Sequence, residues 1–397
     1  MLRNVIFLLF LFCFFNSCVD PYNVDVKKYK DLLVVDALIT NENKSHQVKL
    51  TRSIANLDEV PVAETMAIVT ISCNNGTEVT LKEIEPGIYK TDSTQFIVEI
   101  GKSYKLKIQT SDGKRYSSEE CEILTPTVID EVYFNRKDII NVNSEVQEGV
   151  SFFVNGEASS DAYLRWMYEE DWKFSIPYPT RIGFDENEEL FYLPFQKLYC
   201  WKKSSSREII VQSLNNQRST EIIGKEICFI PSDDTDRFNV KYSVNVKQLN
   251  ISQEEYNFWT KLKEASEEVG DIFGTQPFSI TGNIKSDTDE NEHVLGYFQT
   301  GGVISKRVFL DYRDVLNLQL SLRDSRPLCS LDTVMVDYNK YNSIYEIYSR
   351  LVLKEGRGLY DQPIGAFGPL NGLLITDISC SDCSLKGSRK KPIFWED

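Results

Sequence analysis

Alternation of apolar and polar positions over short runs dominates the chain. Leu32-Leu33-Val34-Val35-Asp36-Ala37-Leu38-Ile39-Thr40 is rich in β-branched residues and ends in a polar Asn-Glu-Asn turn. Val48–Ile54 forms a second such run, and Met66–Cys73 alternates up to the hairpin signal Asn74-Asn75-Gly76. Further short runs follow at Gly87-Ile88-Tyr89, Ser103–Ile108 and Arg115-Tyr116-Ser117; Tyr104, Leu106 and Ile108 share one face. About seven short strands with frequent turns predict a β-sandwich over residues 32–126. Residues 127–397 read as a larger β-rich domain. Its most conspicuous part is an aromatic excursion from Phe174 to Trp201, broken by Pro177, Pro179 and Pro194.

Two segments switch to helical spacing. Ser252 and Glu255 have the spacing of a capping box, Phe258, Leu262, Ala265 and Val269 share one face, and Gly270 suits a cap, which predicts a helix near 252–270. A second is expected near 341–355, with Ile344, Tyr345, Tyr348, Leu351 and Val352 as its apolar face and Gly356 closing it. Similar runs flank both: Val244-Asn245-Val246 and Gln276-Pro277-Phe278 around the first, Val334-Met335-Val336 and Gln362-Pro363-Ile364 around the second. They raise the idea of a degenerate strand–helix–strand repeat. Strands are also expected at 294–299 and 303–311, on either side of Gly301-Gly302.

The start of the chain differs from everything after it. Met1-Leu2-Arg3-Asn4 precedes an unbroken apolar run, Val5–Phe15. As a helix that run rises only about 16 Å, too little for a hydrocarbon core of about 30 Å. It fits the apolar segment of a signal peptide, residues 1–17. Asn16-Ser17-Cys18 then resembles the bacterial lipobox, in which Cys18 is acylated and becomes the first mature residue. Phe15 and Asn16 depart from its commonest pattern. Residues 18–31 would be a tether.

Charge narrows the partners. The chain has 397 residues and a formal net charge of −15, and loss of Arg3 with the signal would make it one unit more negative. Such a chain is a poor match for nucleic acid, and its hold on a membrane should come from lipid and not from basic patches. With only two histidines, His46 and His293, histidine-based metal sites and catalysis are disfavoured. No phosphate loop, G-x-S-x-G or H-E-x-x-H motif is present. Asp287–Asn291 fails as a calcium loop, since Glu292 and Phe298 occupy the positions where Gly and a bidentate Glu are wanted, and Ser232–Asp236 reads as a solvated turn. No catalytic, cofactor-binding or metal-binding residue is assigned.

Beyond Cys13 and Cys18 there are seven cysteines: Cys73, Cys121, Cys200, Cys228, Cys329, Cys380 and Cys383. Export makes disulfides the default reading, and an odd number leaves at least one thiol unpaired. Cys73 with Cys121, Cys200 with Cys228, and Cys329 with Cys380 or Cys383 are the expected links. The last would pin a tail that ends in Phe394-Trp395.

Several runs in order carry a family resemblance: Cys18-Val19-Asp20-Pro21, Leu33-Val34-Val35, Tyr242-Ser243-Val244, Glu254–Trp259, Pro277, Gly282-Asn283-Ile284, Gly296-Tyr297-Phe298, Cys380-Ser381-Asp382-Cys383 and Lys391–Trp395. Together they resemble the bacterial lipoprotein family of domain of unknown function 4249 (DUF4249). The resemblance implies an outer-membrane lipoprotein whose first domain is an immunoglobulin-like or carboxypeptidase-regulatory-like sandwich. It also implies a gene neighbourhood with TonB-dependent transporters and transfers no catalytic residue. The expected class is therefore mainly β (α+β). The expected function is that of a lipid-anchored, non-catalytic binding protein associated with such a transporter or its substrate. A surface adhesin and an envelope hydrolase acting on peptides or glycans are the alternatives.

Overall fold

The computed structural model describes residues 31–396 apart from 55–58, 142, 195–198, 216–218, 234, 268–279 and 323–328. The apolar start, Cys18, Val269, Gly270 and Gln276-Pro277-Phe278 lie outside the described residues. The chain is mainly β with a minority of helix, as expected. Among the described residues no helix is long and apolar enough to cross a membrane.

The first part contributes β1 (Leu33–Thr40), β2 (Gln47–Arg52), β3 (Ile68–Cys73), β4 (Glu78–Thr80), β5 (Lys82–Glu85), β6 (Ile88–Lys90), β7 (Ser103–Gln109), β8 (Arg115–Ser118) and β9 (Cys121–Glu122). Next come β10 (Val128–Ile140), β11 (Val146–Glu157), β12 (Tyr163–Phe174), β13 (Ile182–Phe184), β14 (Leu190–Tyr192), β15 (Cys200–Ser205), β16 (Ile210–Ser213), β17 (Glu221–Pro231) and β18 (Lys241–Ile251). Helix α1 (Gln253–Glu267) leads to β19 (Ile284–Ser286) and β20 (Leu295–Asp311). Helix α2 (Tyr312–Asn317), β21 (Asp332–Met335), α3 (Ile344–Ile347), β22 (Gly358–Leu359), β23 (Ile364–Gly365), β24 (Gly368–Pro369), β25 (Gly372–Thr376) and α4 (Ile378–Ser381) complete the chain.

The two strands expected around Gly301-Gly302 are one strand of 17 residues, β20. From Leu295 to Gly301 it runs parallel to β1, and from Gly302 to Asp311 it runs antiparallel to β18. A nine-stranded sheet results, in the order β15-β12-β18-β20-β1-β2-β6-β5, with β16 extending the β15 position beside β12. The glycines do not end the strand; they let the connection between the two parts cross it. A Cβ at Gly302 would lie 1.8 Å from the Leu124 carbonyl oxygen, an impossible approach for any other residue. Thr125 is held there by the Asn250 amide (2.9 Å to its carbonyl), and the Thr300 hydroxyl donates to the Glu122 carbonyl (2.9 Å).

Two smaller sheets pack on this large one. β19-β8-β7-β3-β4, with β9 beside β7, covers the β1–β2 end. Its core holds Val35, Leu50, Ile71, Leu106, Tyr116 and Phe298. The first sandwich therefore takes β19 and half of β20 from beyond residue 280. β10-β11-β17 covers the β12–β18 end around Phe152, Trp166, Phe174, Tyr242 and Val244. Both cores follow from alternation: every second residue of β12, from Leu164 to Phe174, is buried.

The aromatic excursion serves two places: Phe174, Ile176 and Cys200 at its ends belong to the second core, and its middle is the base of a third, smaller unit. Ile182 and Phe184 of the β13–β14 hairpin pack against the second helix and β25, with Phe184 tilted on Tyr348 at 4.8 Å. Ser343 caps that helix by accepting from the Glu346 amide; after one α turn it widens into a π turn over Tyr348–Lys354. The proposed repeat finds no equivalence in the sheets: β18 is interior to the nine-stranded sheet, while β21 edges a three-stranded one.

His46 enters the first core 1% exposed, with the Phe96 ring edge-on at 6.2 Å. Neither ring nitrogen has a hydrogen-bond partner among the described residues. Burial, helped by Lys44, lowers its pKa from 6.5 to about 4. The folded state thus refuses a proton that the unfolded chain accepts, so stability from this group is lost as pH falls from 6.5 toward 4. His46→Leu should remove up to about 3 kcal/mol of the acid sensitivity measured by urea unfolding at pH 7 and pH 4.

Candidate functional site

The cysteines settle where the tail goes. Cys200, at the start of β15, is joined to Cys383, 183 residues later, and Cys329 is joined to Cys380. The expected link of Cys329 to the Cys380-x-x-Cys383 pair is therefore present. The other two expected links are corrected. Cys73 and Cys121 both stand level with Tyr104, on opposite sides of β7. Two strand spacings place them about 9–10 Å apart, beyond disulfide reach. Cys228 belongs to the sheet facing that of Cys200, across the core. Cys73, Cys121 and Cys228 are free thiols. Since Cys380 and Cys383 hold different partners, they form neither a redox pair nor half a zinc site. No metal-binding group of His, Cys, Asp or Glu occurs among the described residues.

Past Cys383 the tail lies along β15. Trp201 and Ser388 exchange backbone hydrogen bonds, each of 2.8 Å. Gly387 makes this approach possible: a Cβ there would meet the Trp201 carbonyl oxygen at 2.6 Å and the Phe174 ring at 2.7 Å. Trp395 then closes over Phe309 and Trp201, with ring centroids 5.5 and 6.4 Å away, both edge-on. Phe394 stays partly exposed beneath the Arg307 guanidinium at 3.6 Å.

Between β15 and this tail is a groove of about 550 Å³. Lys202 and Lys203 come from β15, and Lys386, Lys390 and Lys391 from the tail; Trp172 and Trp201 supply aromatic surface. One carboxylate lines it, Asp171, which is already bonded to Arg307 at 3.0 Å and whose pKa burial raises. Lys202 is bonded to Asp236 at 2.6 Å, and Asp236 also accepts from the Trp172 indole at 2.8 Å. Behind the groove, Glu170 occupies an inward position of β12 and is 4% exposed. It accepts from the Arg237 Nε at 2.7 Å and the Tyr242 hydroxyl at 2.9 Å, which satisfies a carboxylate placed in the core. Burial and Glu170 push the Tyr242 phenol well up.

A second constellation lies where α1 meets the large sheet. Ser252 caps the helix through the Glu255 amide at 3.1 Å. The other half of the expected capping box is absent, because the Glu255 carboxylate turns inward. It is 2% exposed and accepts from the Thr300 amide and the Trp259 indole, each at 3.3 Å. Arg165 stacks on the Trp259 ring at 3.7 Å and donates to Gln299. Burial raises the Glu255 pKa from 4.5 to about 7, against the pull of Arg165, and lowers that of Arg165 to about 10. Burial, and then Glu255, pushes the neighbouring Cys121 thiol up to about 12. These groups hold a proton near neutrality, and both the Glu255 and Arg165 side chains are buried at the junction.

A further hollow of about 660 Å³ between β8 and residues 280–295 includes His293; its Glu292 is taken by Lys114 and Tyr116, both at 2.9 Å. Cys200 and Cys383, both among the seven cysteines singled out in the sequence, frame the lysine groove, but its cations were not singled out. Their signal was the basic run Lys386-Gly387-Ser388-Arg389-Lys390-Lys391 in an acidic chain. The signal for Glu170 was a charge in an otherwise inward-facing apolar series.

Between pH 4.5 and 7 the folded state keeps the Glu255 proton that the unfolded chain releases, so this group's contribution falls as pH rises through that window. Arg165→Met should cost about 3–5 kcal/mol at about pH 8, where the buried anion loses its cation, and distinctly less at about pH 5. Guanidinium unfolding at the two pH values is the measurement; an equal loss at both would detach Glu255 from Arg165.

Residues 19–307 match a family model described as Domain of unknown function (DUF4249). A comparison with curated proteins finds none that matches. The matched span takes in the two sandwiches and ends in the antiparallel half of β20, and on it this chain belongs to the DUF4249 family.

Proposed function

We propose that the protein is a lipid-anchored binding protein of the outer membrane, without catalytic activity, that serves a TonB-dependent transporter or that transporter's substrate. The observation that carries this reading is the pair of bonds Cys200–Cys383 and Cys329–Cys380 in a chain that opens like an exported lipoprotein. Such bonds persist in oxidising compartments outside the cytoplasm. Val5–Phe15 is too short to remain as a span, so attachment falls to acyl chains on Cys18. One chain holds only marginally, whereas several hold firmly. The transporter partner rests on the family resemblance, and the immunoglobulin-like or regulatory-like character of the first sandwich belongs to the same reading.

Metabolic labelling with an alkyne fatty acid should mark the wild type and leave Cys18→Ala unmarked, with the wild type in the outer-membrane fraction. Affinity purification from native membranes should recover a transporter of this class. An unlabelled, wholly soluble wild type would overturn the anchor, and a membrane complex lacking any transporter would overturn the partner.

A further inference from the structure

We propose that the lysine-walled groove between β15 and the C-terminal tail binds a phosphorylated ligand. The inference is independent of the anchor and of the transporter, because it concerns a site carried by the purified chain itself. Three observations carry it.

The first is charge placement. The whole chain has a net charge of −15, yet five lysines from segments some 185 residues apart border one groove of about 550 Å³, with Asp171 as its one lining carboxylate. Asp171 is already bonded to Arg307 at 3.0 Å, and Lys202 already has Asp236 at 2.6 Å. Lys203, standing directly across the strand pair from Asp171, shares that single charge with Arg307. Lys386 and Lys390 are exposed and have no ion pair among the described residues. Like charges brought together raise each other's energy, and an anion in the groove relieves that repulsion.

The second is construction. The Cys200–Cys383 bond and the paired Trp201 and Ser388 backbones hold the two cationic walls at a set distance. Gly387 allows the tail to lie close against Phe174. Preorganised walls spare the ligand the ordering of a loose tail.

The third is the type of cation. Arg389 is turned to Asp382 at 2.7 Å and Arg307 to Asp171, so the groove offers ammonium groups and no guanidinium fork. Lysines act as compact point charges that suit the several oxygens of a phosphate, whereas planar carboxylates favour the bidentate arginine. The fully exposed Ile393, beside the edges of the largely buried Trp172 and Trp201, adds apolar surface for the organic part of the ligand. Phosphate esters of soluble sugars and phosphate-bearing lipid headgroups share this chemistry.

The test uses the full chain in nonionic detergent, titrated with inorganic pyrophosphate and read by tryptophan fluorescence. Saturable quenching is expected, weakening steeply as salt rises from about 0.05 to about 0.5 M. Lys386→Glu with Lys390→Glu should weaken binding about tenfold or more, while Lys49→Glu with Lys82→Glu, the same two charge reversals at exposed positions of the first sandwich, should leave it within about twofold. Cys383→Ser, checked for an intact fold by circular dichroism, should weaken binding by freeing one wall. Absence of saturable quenching, or equal losses in the remote and groove variants, would overturn the site. Glucose 1-phosphate in the same assay and flotation with phosphatidylglycerol vesicles then separate the sources. Retention of binding by the soluble ester supports a sugar phosphate, flotation lost in the groove variant supports a headgroup, and failure of both overturns the ligand class.

Discussion

One strand has to satisfy two neighbours that run in different senses. β20 pairs in parallel with β1 over its first half and antiparallel with β18 over its second, and among the described residues no other element joins the two sandwiches within a common sheet. Where only one neighbouring strand is present, side chains take the strand's free amides, Asn283 that of Phe298 and Glu255 that of Thr300, and a slip of one residue would reverse the buried and exposed faces of both cores together. The crossing at Gly302 follows from the same demand. The chain leaving the first sandwich must pass over the strand, and only a residue without a Cβ leaves room for the Leu124 carbonyl. The first sandwich is accordingly a composite, finished only when the chain returns after α1.

Polar groups collect where these parts meet. Gln248, on β18, accepts from the Trp166 indole at 2.8 Å and donates to the Thr127 hydroxyl at 2.6 Å, tying the start of β10 to the large sheet. Glu255, Arg165 and Gln299 lie at the other side of the same junction. A buried charge without a partner is costly, whereas a matched set selects one arrangement of the elements around it. This accounts for ionisable groups shifted by burial at the junction between the two sandwiches.

The C-terminal tail has a different character. It owes its course to covalent bonds and to a few aromatic contacts, with little regular structure of its own. That combination leaves side chains exposed while the backbone is held, which is the usual situation of recognition surfaces built on rigid supports. The lysines of the groove would be an ordinary basic run in a loose tail; laid against β15 they become one side of an enclosure.

Alternation and helical spacing by themselves determined the strands of the first part, both helices, and the mainly β class. Each depends only on neighbours a few residues away. Family membership was legible for a similar reason, since ordered short motifs survive without knowledge of the fold. The expected break at Gly301-Gly302 failed because glycine in a sequence signals a turn equally with a close approach, and only the neighbour decides which. Pairing of Cys200 with Cys383 instead of Cys228, the inward turn of Glu255, and the union of Lys202 and Lys203 with Lys386 and Lys390 were decided by tertiary structure alone. Each depends on which distant segment lies alongside, and local spacing carries no record of that distance.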